Sequence, residues 1–347
     1  MSDVAFITKS QAEPPFFVGV DLGGTNIKVG LVDDRGRPLV KRSLPTDVPR
    51  GPQDAAERMG KAVLEVIAET GLAVGDVAHV GLGSPGTMDV PAGMLLEPPN
   101  LRGWENFPIR DRVSQHCGLP VAFANDANAA AYGEFWVGSG RAFHSMVLLT
   151  LGTGVGGGII IGDHSVDGEH SHGSECGHII IDHHDDARMC NCGHTGHLEA
   201  YASATAVVKR AHDLLDARRD TSVHRRLERG DELTTLLLAE EATAGDAFAM
   251  ELILEAAMYL GVGVASLMHT VDPDGVVLGG AMTYGGHDSP VGRKFLERVR
   301  EEVRRRTFPV LRERTIVDFA SLGSDAGYIG AAGIGRLAYR KRLEVRG

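Results

Sequence analysis

Residues 18–32 read V-G-V-D-L-G-G-T-N-I-K-V-G-L-V. Two β-branched runs, 16–21 and 27–33, flank G-G-T-N, which predicts a β-hairpin with a glycine-rich turn. Glycine lets the backbone approach an anion closely and offer it N–H groups, and the Thr25 hydroxyl adds a donor. Asp21, Gly23, Gly24, Thr25 and Asn26 therefore form a candidate phosphate cradle, with Asp21 placed to hold a Mg²⁺ ion through water. A plain hairpin turn is the other reading. The turn is neither a Walker loop nor a G-x-G-x-x-G that opens a helix, which disfavours both of those folds.

The same plan returns about 130 residues later, where S-M-V-L-L-T-L-G (145–152) runs into T-G-V-G-G-G-I-I-I (153–161). A strand, a glycine turn with threonine and a second strand are repeated, which points to internal duplication and two similar lobes. Gly152, Thr153 and Gly154 take the places of the first cradle. A third apolar run, V-V-L-G-G-A-M (276–282), carries Gly279 and Gly280, a flat surface suited to an adenine or ribose. Further strands are expected at 39–46, 77–83, 120–126 and 315–321. Helices are expected at 53–70, 127–137, 199–216, 246–270 and 290–306, and from 325 onward.

Composition narrows the partners. The 347 residues suffice for two ordinary domains, and a net charge of −11 argues against nucleic acid. No run approaches the roughly 18 unbroken apolar residues of a membrane span. The first fifteen residues resemble a flexible leader and not a signal peptide, so a cytoplasmic location is expected. The basic end R-L-A-Y-R-K-R-L-E-V-R (336–346) reads as the exposed face of a last helix.

Residues 175–199 hold three of the four cysteines, and eight of the fifteen histidines lie between His164 and His197. Thiolate and imidazole together suit tetrahedral zinc. Glu175 and Glu199 flank the cluster, where a rigid metal knot can hold carboxylates against a polar ligand. Elsewhere, Asn125-Asp126 ends a strand. A carboxylate there can take a proton from an attacking hydroxyl, or Asp126 can cap the helix that follows.

The D-L-G-G-T-N hairpin, the L-G-T-G-V-G-G-G repeat and the run C-N-C-G-H-T-G-H-L-E resemble the ROK family of sugar kinases and sugar-responsive repressors, over about residues 16–340. Within that family the chain is most similar to bacterial glucokinases. The resemblance implies an α/β, two-lobed actin-like ATPase (ribonuclease H-like) fold with duplicated βββαβα lobes and a zinc-binding insertion. The implied lobes are 16–140, with part of the last helix (325–342) packed on it, and 141–324, which carries the zinc motif 175–199. Residues 1–15 stay a leader. The lobes are expected to close on ATP.

Carried over by motif, Asp126 is the general base. Asn100 (in the loop 98–104), Asn125, Asp126, Glu175, His178 and Glu199 contact the sugar. Gly83-Ser84-Pro85-Gly86 resembles the turn that lets backbone approach it. Zinc in the family is held by the histidine of E-x-G-H and three cysteines. Here the third cysteine position is His197, which leaves His178, Cys190, Cys192 and His197, with Cys176 and His194 as substitutes. Four protein ligands leave no open position, so the zinc is structural.

The activity implied is Mg²⁺-dependent phosphorylation of the 6-hydroxyl of glucose by ATP, in a homodimer. A kinase for N-acetylmannosamine, N-acetylglucosamine or mannose would use the same residues. A sugar-responsive regulator is the reading from another class. The roughly fifteen residues before the first strand are too few for its winged helix-turn-helix.

Overall fold

A computed structural model describes residues 4–98, 100–217 and 220–345. Residues 1–3 of the expected leader, Pro99 of the 98–104 loop and Arg346 of the basic end lie outside the described residues. The chain opens with an antiparallel meander: β1 (Phe16–Leu22), β2 (Asn26–Val32) and β3 (Pro38–Pro45). It continues through α1 (Pro52–Glu69), β4 (Val77–Ser84), the small hairpin β5 (Met88–Asp89) and β6 (Met94–Leu95), and α2 (Ile109–Cys117). Next come β7 (Val121–Asn125) and α3 (Asp126–Trp136).

A second meander follows: β8 (Ser145–Leu151), β9 (Val155–Ile161) and β10 (His164–Ser165). After the cysteine segment lie α4 (Glu199–Ala202), α5 (Ala204–Leu215), α6 (Val223–Glu228), α7 (Thr235–Thr243) and α8 (Ala247–Val271). The chain closes with β11 (Gly275–Gly279), α9 (Pro290–Arg306), α10 (Pro309–Arg314), β12 (Ile316–Phe319) and α11 (Ala326–Glu344). The periodic reading anticipates the strands of both five-stranded sheets apart from the two-residue β10. It misses the short helices α2, α6, α7 and α10. The run 276–282 stops as a strand at Gly279, because Gly280 turns the chain with φ +93°.

One five-stranded sheet has the order β3-β2-β1-β4-β7 and the other β10-β9-β8-β11-β12. In each, the third strand lies at one edge, followed by the second, first, fourth and fifth, so the repeated hairpins head sheets of identical order. In the first sheet β4 runs parallel to β1 and β7 parallel to β4. In the second, β11 runs parallel to β8 and β12.

Two compact units result. One comprises the chain up to Phe143, Gly158–Ser174 and the segment from Ser321, and the other His144–Gly157 and Glu175–Ala320. In the first unit, strand alternation separates two cores. Val18, Val20, Leu22 and Val29 face Met59, Val63 and Ile67 of α1. Each of these fully buried side chains contributes about 2 kcal/mol. Phe17 and Val32 face Tyr328, Ile329 and Ala332 of α11. Two of the many glycines are explained here. A Cβ on Gly19 would lie 1.7 Å from Tyr328 O, and one on Gly81 would lie 1.7 Å from Ala331 O, so α11 rests on bare strand backbone.

The second unit is built around α8, which is 25 residues long and apolar enough in length and composition to cross a membrane. It is a core helix instead. Phe248, Leu252, Ile253, Leu260 and Val264 are buried, and Glu255 pairs with Arg188 and Arg210 at 2.8 and 3.4 Å.

Two expectations need correction. The leader is not loose from Val4 onward: Ile7 N donates to Pro38 O (2.9 Å), Asp34 N to Glu13 O (2.9 Å) and Arg37 Nη2 to Gln11 O (2.9 Å). Nor is the basic end uniformly exposed. Arg336 is buried, with its guanidinium 5.1 Å from the Trp136 ring and its Nε 2.7 Å from Asp34 Oδ1.

Glu134, near the end of α3, is fully buried and is held by neutral donors. Its Oε2 accepts from the N and Oγ of Ser139 and of Ser321, at 2.9–3.2 Å, and its Oε1 accepts from Leu322 N at 2.7 Å. Glu134→Gln would turn an amide donor toward donors. The expected loss is about 3 kcal/mol of stability, read from urea unfolding.

Candidate active site and metal centre

In the first unit the β1–β2 turn is braced from behind. Gly23 N donates to Asn26 O (3.0 Å), Thr46 Oγ1 donates to Gly23 O (2.6 Å), and Thr46 N donates to Thr25 O (2.8 Å). These bonds leave Gly24, Thr25 and Asn26 exposed at the tip, beside Asn100, whose Cβ lies 3.7 Å from where a Gly24 Cβ would be. Thr46 is a residue the sequence reading overlooks, because it sits just beyond a strand with no motif around it.

Asp21, next to the last residue of β1, lies against the first turn of α11. A Cβ on Gly327 would be 2.3 Å from Asp21 Oδ2, so only glycine admits the carboxylate there. Burial pushes the Asp21 carboxyl above its usual range, and Lys28 opposes the shift. A half-buried carboxylate that Lys28 offsets is of the type that can hold a hydrated cation through water.

Asn125 and Asp126 lie where β7 becomes α3, and their roles divide differently from the capping alternative. Asn125 is the cap: its Oδ1 accepts from Ala127 N (2.8 Å) and Asn128 N (3.4 Å). Asp126 is the first helical residue, with Oδ1 2.8 Å from Ala127 N. Ser84 of β4 pairs with Asn125, and a Cβ on Gly83 would stand 3.7 Å from Asp126 Cα. The Gly83–Gly86 turn and the Asn125–Asp126 corner are therefore neighbours.

In the second unit the other glycine turn is closed by Gly152 N donating to Gly154 O (3.0 Å). Ala204 N and Thr205 Oγ1, at the start of α5, hold Gly152 O and Thr153 O at 2.9 and 2.8 Å. Glu199 sits against this turn, accepting from Val155 N at 2.9 Å, and its Oε2 would be 2.3 Å from a Gly154 Cβ. Gly279 and Gly280 adjoin a cleft of about 640 Å³, lined by Thr235, Leu236, Ala239, Glu240 and Thr243 of α7 and by Ala281, Tyr284 and Gly285.

The cysteine segment folds as a knot. Cys190 N donates to His194 O (2.8 Å) and Gly193 N to Cys190 O (3.0 Å), making the tight turn that presents Cys190 and Cys192. Gly196, at φ +80°, passes so close that a Cβ would lie 1.9 Å from Asp182 O. Arg188 anchors the knot: its guanidinium lies 4.6 and 5.2 Å from the rings of Tyr201 and Tyr259.

One ligand atom from each of His178, Cys190, Cys192 and His197 lies within 4.8 Å of the others. His178 Nδ1 and His197 Nδ1 are 3.3 Å apart, Cys192 Sγ is 3.2 Å from His197 Nδ1, and Cys190 Sγ is 3.9 Å from His178 Nδ1. Ligands on a tetrahedral zinc ion stand roughly 3.3–3.8 Å apart, so this donor set could close on such an ion with small side-chain adjustments. Burial, with Glu199 Oε1 at 3.4 Å, pushes the Cys190 thiol up to about 12, so it takes a cation at the centre to ionise it at neutral pH. Burial and the neighbouring His178 and His194 lower the His197 pKa and favour its neutral, ligating form. Cys176 is not in the group, and burial raises its thiol to about 12. His194 stands 3.8 Å from Cys192 Sγ, also outside the group. Glu175 Oε2 is 4.0 Å from His178 Nε2.

The chain matches the ROK family over residues 17–336. It is 35% identical to a glucokinase from Thermotoga maritima over 317 residues, 91% of this chain and 96% of that one. Among solved structures, a ROK hexokinase from Thermus thermophilus is 34% identical, with a TM-score of 0.79 covering 94% of this chain and 99% of that one. A ROK family glucokinase from Streptomyces griseus, solved in complex with glucose and AMPPNP, is also 34% identical, with a TM-score of 0.74 covering 93% and 99%. A match of this extent, on a chain that carries both glycine hairpins and the cysteine knot, places the protein in the ROK family.

Proposed function

We propose that this sugar kinase transfers the γ-phosphoryl group of ATP to the 6-hydroxyl of D-glucose, giving glucose 6-phosphate and ADP, with Asp126 as general base. The observation that carries the reading is the corner at the end of β7, where Asn125 is the cap of α3 and Asp126 is its first residue. Asp126 thus heads a helix whose orientation is set by its neighbour, the rigid placement a general base needs. In the reaction its carboxylate accepts the hydroxyl proton as the sugar oxygen bonds to phosphorus and the bond to ADP breaks.

Recognition of the sugar falls to Asn100, Asn125, Glu175, His178 and Glu199. Asn125 Oδ1 is occupied by capping, so it offers its Nδ2 donor. With His178 Nδ1 turned to the metal cluster, its Nε2 is the face offered to sugar and to Glu175. Such polar groups discriminate by the cost of leaving them unpaired. The turns Gly23–Asn26 and Gly152–Gly154 present backbone N–H groups to phosphate oxygens, and the cleft beside Gly280 takes the base. Asp21 would hold Mg²⁺ through water, and the ion neutralises phosphate charge when bound. Zinc would be held by His178, Cys190, Cys192 and His197, where it neutralises two thiolates and stiffens the knot. The repeated strand order of the two sheets supports the duplicated actin-like ATPase fold.

A coupled ADP-release assay with glucose, mannose, N-acetylglucosamine, N-acetylmannosamine and fructose tests the substrate. The expected result is a kcat/KM for glucose at least about tenfold above the others, the discrimination that a satisfied polar site readily supplies. Preference for an acetylated sugar would overturn the choice of glucose.

A further inference from the structure

The first turn of α3 carries more than Asp126. Asn128, two residues on, is buried and is held at both ends. Its backbone N–H donates to Asn125 Oδ1 at 3.4 Å, and its side-chain Nδ2 donates to Asp167 Oδ1 at 3.0 Å. The same Asp167 oxygen accepts from Ser165 Oγ at 2.9 Å.

The loop that carries Asp167 is closed on itself. Gly173 N donates to Asp167 O (2.7 Å), Ser174 Oγ to Val166 O (2.8 Å), and Ile159 N to Ser174 Oγ (3.2 Å). Its base is pressed onto the helix: a Cβ on Gly158 would be 2.3 Å from Ala131 Cβ and 3.3 Å from Asn128 Cα. A stiff loop and a buried side-chain amide therefore meet the turn that begins with Asp126.

We propose that Asp167 is a positioning residue for phosphoryl transfer: through Asn128 it fixes the first turn of α3 and so the aim of the Asp126 carboxylate. This rests on the reading of Asp126 as the base. The physical argument is leverage. Asp126 and Asn128 share one helical turn, so a rotation released at Asn128 is carried directly to Asp126, and misplacement of a reacting group by about 1 Å costs up to about 10²-fold in rate. Loss of the carboxylate also strands a buried donor, Asn128 Nδ2, which the turn would move to satisfy. The sequence alone does not show this tie, because the partners are 39 positions apart in a loop with no motif of its own.

The test compares Asp167→Ala, Asp167→Asn and Asp126→Asn in the full-length protein, measuring kcat, both KM values and the thermal midpoint. Asp167→Ala is expected to lower kcat about tenfold with both KM values within about threefold of wild type, the split that a misaimed base produces. Asp167→Asn keeps an oxygen to accept from Asn128 and Ser165, and it should recover most of kcat. A wild-type kcat in Asp167→Ala, with Asp126→Asn inactive, would overturn the positioning role and leave the base in place. Failure of Asp167→Asn to recover kcat, when its thermal midpoint matches wild type, would also overturn it. Full turnover in Asp126→Asn would instead remove the base reading on which the proposal stands.

Discussion

Asp126→Asn is expected to lower kcat for glucose phosphorylation by about 10³-fold while glucose still binds, since a positioned general base contributes about 10²–10⁴-fold. The substitution is conservative for the fold. Asparagine is tolerated in a first helical turn, its Oδ1 can still take the Ala127 N–H, and the cap belongs to Asn125. What disappears is the capacity to accept the hydroxyl proton. Glucose binding by calorimetry should stay within a few-fold of wild type, because the residues proposed to hold the sugar, Asn100, Asn125, Glu175, His178 and Glu199, remain. Asn125→Ala should behave differently. It removes the cap and the donor proposed for the sugar, so it should cost about 1 kcal/mol of stability and weaken glucose binding. Equal kcat in Asp126→Asn and wild type would contradict the mechanism.

Cys192→Ala carries the second large effect. Its Sγ is one of the four convergent ligand atoms, and the side chain is exposed, so the substitution opens no cavity. Zinc measured by mass spectrometry after gel filtration should fall from near one ion per chain toward none. Removal of a ligand costs at least the roughly 10–100-fold in affinity lost when a group that merely orients a ligand is removed. Glucose binding should weaken with it, because His178 belongs to the same cluster and Glu199 touches Cys190. The unit should still fold, since Arg188 stacks on Tyr201 and Tyr259 and pairs with Glu255 without metal. Full zinc content and unchanged glucose affinity in this variant would contradict the ligand assignment.

Much of the architecture was legible because it is written in local pattern. The G-G-T-N hairpin and its repeat at 152–154 fall where predicted, each heading a sheet of the same strand order. α9 runs over the expected residues because Ser289 caps it and Pro290 opens it. The four side chains that the family resemblance implies as zinc ligands, His178, Cys190, Cys192 and His197, also lie together.

What the sequence hid was long-range or finely balanced. The sequence offered Asp126 as the alternative cap, but Asn caps as well as Asp, and the backbone geometry gives the cap to Asn125. Glu134 sits in an alanine-rich helical run, and its donors at Ser321 and Leu322 lie 187 and 188 residues away. Thr46 and Arg336 likewise act through partners that no periodicity marks. The short helices α2, α6, α7 and α10 span only two or three turns, too little for a hydrophobic period to stand out.

The central claim is transfer of a phosphoryl group from ATP to the 6-hydroxyl of glucose. Phosphorus NMR of the reaction of the purified protein with glucose and Mg-ATP tests it most directly. A sugar phosphate whose signal is split by the protons on carbon 6, formed in step with ADP, is the predicted result. Phosphate on another hydroxyl, or ADP formed with no phosphorylated glucose, would contradict it.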